Sequence, residues 1–297
     1  MPNRFIPQFV SQLQSIPSAS MSLGQSRCRS RRLRLLFTSL TLGLALSWAS
    51  SWANRVAAQV PSTASEPPPE LASLLSRIDT AASAGDLAAV MRFYSPNFTS
   101  ADGLTYNTLK QTLEDLWKRY PDLQYQTTLE SWEQQGDAIT TVTTTTITGV
   151  YPDERRDLNL SATITARQRL QNDQIVEQEI LSERSELTAG DNPPTVSFNL
   201  PEQVNPGQEF DFDAVVMEPL GERLLLGAAL EEPIGVENYL NPAPVELELL
   251  SSGGLFKVGQ APKSPDDRWI SAVIVRYDGI TAVTQRLRVV EVDQAGN

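Results

Sequence analysis

Asp102 is a carboxylate that could belong to the wall of a catalytic pocket or only to the corner of a small fold. It follows Tyr94 by eight positions in AGDLAAVMRFYSPNFTSADG, residues 84 to 103. A base must reach the proton that it removes, and a neighbouring phenol can orient a substrate or line an apolar wall. Tyr106, Trp117 and Tyr120 follow close behind and supply further aromatic surface for a ligand site. The plainer reading of Asp102-Gly103 is a tight turn, its carboxylate bonded to its own backbone. The chain has no histidine, which removes the commonest general base and transition-metal ligand. Its one cysteine is Cys28. Asp211, Asp213, Asp266 and Asp267 are calcium-type ligands, but their spacing is not that of a calcium loop, so no metal and no cofactor are expected.

The 297 residues carry a net charge of -12. Residues 1–58 hold Arg4, Arg27, Arg29, Arg31, Arg32, Arg34 and Arg55 and no acid, so the remainder is more acidic still. Such a body repels nucleic acid, and no nucleic-acid partner is expected. From Ser30 a basic run ends at Arg34, an apolar run spans Leu35 to Ala49, and Val56-Ala57-Ala58 fits a small-x-Ala cleavage site. That is the layout of a secretory signal, and the run is short for a membrane span. Export with cleavage near Ala58 is expected; an uncleaved anchor is the alternative, and contact with a membrane is expected only through this segment. Residues 59–69 read as a proline-rich linker.

The elements that must position Asp102 and the aromatics come next. Leu71, Leu74, Leu75, Ile78, Ala81 and Ala82 form one helical stripe that Gly85 ends, and Asp86 caps a short second helix. A third helix follows Thr105, with Leu109, Leu113, Leu116, Trp117 and Tyr120 on one face. Strands are expected at 123–133, 138–150, 157–170 and 175–187, the second rich in threonine. Three helices and an antiparallel meander make an α+β domain over residues 70–190. Beyond a hinge near Gly190, residues 193–297 show about seven short strands separated by turn signals, an all-β, immunoglobulin-like sandwich able to fold alone.

This order of elements, with AGDLAAVMRFYSPNFTSADG at the second helix and first strand and YPDL after the third helix, resembles the nuclear-transport-factor-2-like superfamily. That group includes ketosteroid isomerase and the small SnoaL-like polyketide cyclases. The resemblance implies a cone-shaped domain with an apolar cavity, and a homodimer through the sheet. It also implies Asp102 as base and Tyr94 as a pocket-lining residue; Tyr106, Trp117 and Tyr120 are further ligand-binding candidates beside them, the last two otherwise core-facing helix residues. The oxyanion-hole tyrosine of the isomerases falls at Ile78, which donates no hydrogen bond, and loss of such a donor costs about 3 kcal/mol or more. The expectation is therefore a non-enzymatic extracytoplasmic binding or interaction protein, with a small apolar ligand or a protein as partner. An isomerase, cyclase or lyase using Asp102 is the alternative.

Overall fold

The computed structural model describes residues 67–151, 157–221, 224–240, 245–250 and 252–291. The expected signal and cleavage site, and all but the end of the expected linker, lie outside the described residues.

Helix α1 (Pro69–Ser83) opens with proline in its first turn, where no amide partner is needed, and buries Leu71, Leu74, Leu75 and Ala82. Gly85, at φ 63, turns the chain out of it. In α2 (Leu87–Met91) the Asp86 carboxylate accepts from the Ala89 amide at 2.9 Å. Strand β1 (Tyr94–Ser100) leads to the Asp102-Gly103 turn. Thr105 and Thr108 then cap α3 (Tyr106–Arg119) reciprocally. Four long strands follow: β2 (Gln124–Gln135), β3 (Ala138–Tyr151), β4 (Leu158–Gln171) and β5 (Gln174–Gly190).

The second half supplies β6 (Val196–Asn199), β7 (Gln203–Val204), β8 (Glu209–Val216) and β9 (Leu226–Pro233). A short helix, α4 (Val236–Leu240), comes next. Then come β10 (Glu248–Leu249), β11 (Gly254–Gln260), β12 (Arg268–Arg276) and β13 (Gly279–Val289).

One sheet runs β10-β9-β12-β13-β5-β4-β3-β2, with β1 parallel to β5. A smaller sheet has the order β11-β8-β6. The expected class, a three-helix cone followed by a separate sandwich, is thereby corrected. The described chain is mostly antiparallel sheet with four short helices. The physical reason is the antiparallel pairing of β13 with β5, from Gly279 opposite Gly190 to Gln285 opposite Arg184. It carries the first half's sheet directly into the second.

Alternation along β12 and β13 then serves two cores at once. Trp269, Val273, Val275, Ile280 and Ala282 face the core beneath α1 and α3. Ile270, Ala272, Ile274, Val283, Leu287 and Val289 face the core under the small sheet, with Phe210 and Phe212 of β8. Strands buried on both faces read as continuous apolar runs, as RWISAVIVR does.

This arrangement makes a prediction. A fragment of residues 193–297 lacks β5 and exposes the first set of side chains, as well as the open edge of β13. Produced alone, it should aggregate or lack fixed packing. Near-ultraviolet circular dichroism should show no native-like signal, and heating no cooperative transition.

Candidate functional site

Asp102 lies in a turn: the Gly103 amide donates to the Ser100 carbonyl at 3.0 Å, and Gly103 has φ 82. Its carboxylate does not serve that turn. Arg286 on β13 holds it in a two-pronged pair, Nη1 donating to Oδ1 at 3.0 Å and Nη2 to Oδ2 at 2.7 Å. The Tyr239 hydroxyl on α4 donates to Oδ2 at 2.9 Å. The Asp102 side chain is 8% exposed and that of Arg286 is 1% exposed.

Two more carboxylates approach the same guanidinium. Asp267 accepts from Nη1 at 3.0 Å, and Glu183 Oε2 stands 3.5 Å from Nη2. Glu183 also accepts from the Trp269 indole at 3.0 Å, and the Tyr239 ring meets Trp269 edge-on at 4.8 Å. The register explains the gathering. Trp269 and Arg286 are directly opposed on β12 and β13, two pairs along from the bonded Ser271 and Thr284.

Burial pushes the Glu183 carboxyl up from its ordinary value, and the neighbouring Arg286 charge opposes this only in part. Burial works against the Arg286 charge too, but its bonds to Asp102 and the charges of Glu183 and Asp102 outweigh that and hold it firmly protonated. Burial, and then the Asp102 charge, push the Tyr239 hydroxyl well above the usual phenol range. The cluster has more carboxylates than cations, and burial makes Glu183 hold its proton more tightly than an ordinary glutamate does.

The aromatics named above fall elsewhere. A space of about 40 Å³ lies between the helices and β2–β4, lined by Tyr94, Trp117, Tyr125, Ile78, Asp79, Thr143, Thr145 and Gln168 among others. Tyr94 stacks edge-on with Phe98 at 5.0 Å, and burial raises its hydroxyl to about 12. The Trp117 indole donates to the Tyr125 hydroxyl at 3.0 Å. Tyr120 is buried against Tyr151 at 5.7 Å, and Tyr106 is half-buried against the core; neither lines this space. Asp102 does not line it either. It borders an open cleft of about 450 Å³ with Arg286, Arg288, Asp266 and Asp267. The structure therefore brings Tyr94 and Trp117 together but separates both from Asp102.

Sequence reasoning missed Asp79, whose carboxylate accepts from the Thr127 amide at 2.7 Å and its hydroxyl at 2.6 Å. The signal was present: Asp79 sits four residues after Leu75 and eight after Leu71, on the apolar stripe itself. The threonine strand divides cleanly, with Thr141, Thr143 and Thr145 buried inward. Among the described residues, no group of three metal-ligating side chains forms a metal site, and Asp266 instead pairs with Arg268 at 2.8 Å.

Two outcomes are expected for the Arg286 cluster. Arg286→Leu leaves Asp102, Glu183 and Asp267 without their shared counter-charge and should cost about 3–5 kcal/mol, read by urea unfolding. The second concerns pH. Glu183 has a raised pKa in the folded chain, so the folded state binds its proton more tightly than the unfolded one. That stability is complete below the ordinary glutamate value and is lost as pH rises through the folded value. Glu183→Gln should flatten this decline; an unchanged pH slope would refute the assignment.

A family model described as "Domain of unknown function (DUF8623)" matches residues 191–290. No curated protein matches the chain. Among solved structures, the chain is weakly similar to Bd1075 of Bdellovibrio bacteriovorus, at 17% identity over 37% of this chain and TM-score 0.28. The match spans 38% of that protein. A putative SnoaL-like polyketide cyclase from Shewanella putrefaciens CN-32 aligns at 14% identity over 38% of this chain and 90% of that one, TM-score 0.29. An uncharacterized cystatin fold protein from Novosphingobium aromaticivorans aligns at 13% identity over 36% of this chain and 94% of that one, TM-score 0.27. Likenesses this slight carry no argument about activity.

Proposed function

We propose that the chain is a non-enzymatic extracytoplasmic interaction protein. The observation that carries this reading is the state of Asp102. Both of its oxygens are bound to Arg286, and one also accepts from Tyr239. A general base must be free to take a proton from a substrate within hydrogen-bond reach. Asp102 is instead a structural counter-ion.

The interior space supports the same reading. Pockets for small molecules run to about 300–1,000 Å³, and this one, at about 40 Å³, has room for a few waters at most. Its polar lining is already paired in part, through Asp79 with Thr127, Thr127 with Thr145 at 3.0 Å and Gln168 with Gln178 at 3.0 Å. The extracytoplasmic location rests on the basic-apolar-small order of Ser30 to Ala58.

Native mass spectrometry of the protein isolated from its own host tests the reading. The expected species begins near Gln59 and carries no small molecule. A retained apolar adduct that Asp102→Asn abolishes would overturn it in favour of an enzyme or carrier.

A further inference from the structure

We propose that the free edge of β11 is a docking strand for an extended, basic segment of a partner protein. This rests on the interaction-protein reading above and names its surface. Strand β11 pairs with β8 on one side, and no described strand pairs with it on the other. Its outer backbone groups are thus open to a further strand, the mode by which sheets take up extended peptides.

Two side chains mark the edge. Phe256 is 57% exposed and Val258 is 70% exposed, and they project from the same face two residues apart. Edge strands are ordinarily blunted by charge, proline or a bulge. The long edge strand at the far end of the large sheet, β2, follows that rule: it has a bulge between Leu129 and Ser131 and carries Glu130 and Glu133. On β11 the one charge is Lys257. Near its end Gly259 lies against the Phe210 ring of β8, where a Cβ would collide.

Charge selects the occupant. On the face that bears Phe256 and Val258, the next strand presents Asp213, Asp211 and Glu209, opposite Phe256, Val258 and Gln260 respectively. A strand added to β11 lies two spacings from this acid row, about 9.5 Å. An arginine and a carboxylate side chain together span that gap. The fitting segment therefore has apolar residues opposite Phe256 and Val258, flanked by arginine or lysine opposite Gly254 and Gln260. A second copy fits less well, since it brings another acid row in a chain of net charge -12.

The probe is the heptapeptide Arg-Ser-Val-Ser-Val-Ser-Arg, whose symmetry lets it dock in either direction. Fluorescence anisotropy with the full chain should show saturable binding that weakens as salt rises. Phe256→Lys and Val258→Lys replace exposed side chains and should leave the melting transition unchanged while weakening binding at least tenfold. The same peptide with glutamate in place of arginine should not bind. Absence of binding at millimolar peptide, or binding indifferent to both substitutions, overturns the proposal. So does a dimer of the free chain that Val258→Lys dissociates, which would place a second copy on the edge. None of these outcomes touches the small-molecule test above, so the two readings fail separately.

Discussion

A single guanidinium, that of Arg286, is surrounded by Asp102, Glu183 and Asp267 in the interior between sheet and helix. An unpaired charge there would be intolerable, so each neighbouring element is arranged to supply a partner. The β1–α3 turn delivers Asp102, β5 delivers Glu183, and the approach to β12 delivers Asp267. Helix α4 closes the group with Tyr239, whose ring packs on Trp269 while its hydroxyl reaches Asp102. Hydrophobic burial supplies most of the stability of the surrounding core, but it is non-directional. The two-pronged pair is directional, and it sets where the turn and α4 sit against the sheet.

Strands β12 and β13 give that pair its rigid floor. Because both are buried on both faces, a side chain on either one has little freedom to move without disturbing a core. Ser271 and Thr284 satisfy each other within the same stretch, and Thr281 donates to the Pro194 carbonyl at 2.6 Å. The second half is thus less an appendage than the continuation of the first half's sheet, with a three-stranded cover on its far side.

Much of this was legible locally. The three N-terminal helices, their caps and the four long strands follow from periodicity and turn residues. Asn172-Asp173, with φ 52 and 59, forms the tight turn that the dipeptide suggests. What local patterns do not encode is which strand lies beside which. β5 joining β13 is set by long-range burial, and without it the second half reads as a separate sandwich. Asp102 was legible as a notable carboxylate, but its partner stands 184 residues away, and no spacing rule connects them. VENYL, the α4 segment, is too short to show a helical period, so Tyr239 was invisible as a ligand of Asp102. The aromatic cluster of Tyr94 and Trp117 was foreseen in type; its tight packing was not, because cavity volume depends on side chains from several elements at once.

The pairing of β5 with β13 also imposes an order on folding. The partners of that ladder, such as Ser185 and Thr284, lie about a hundred positions apart in the chain. Until the final strand is available, β5 presents a bare edge from Arg184 to Gly190 and the apolar surface that β12 and β13 will cover. Neither core can close early, and such non-local closure is slow and leaves intermediates exposed to wrong pairings. For a polypeptide emerging from its N-terminus, the last described strand is therefore the one that commits the whole molecule. Up to that moment the first half must be kept from finding some other strand to complete its sheet.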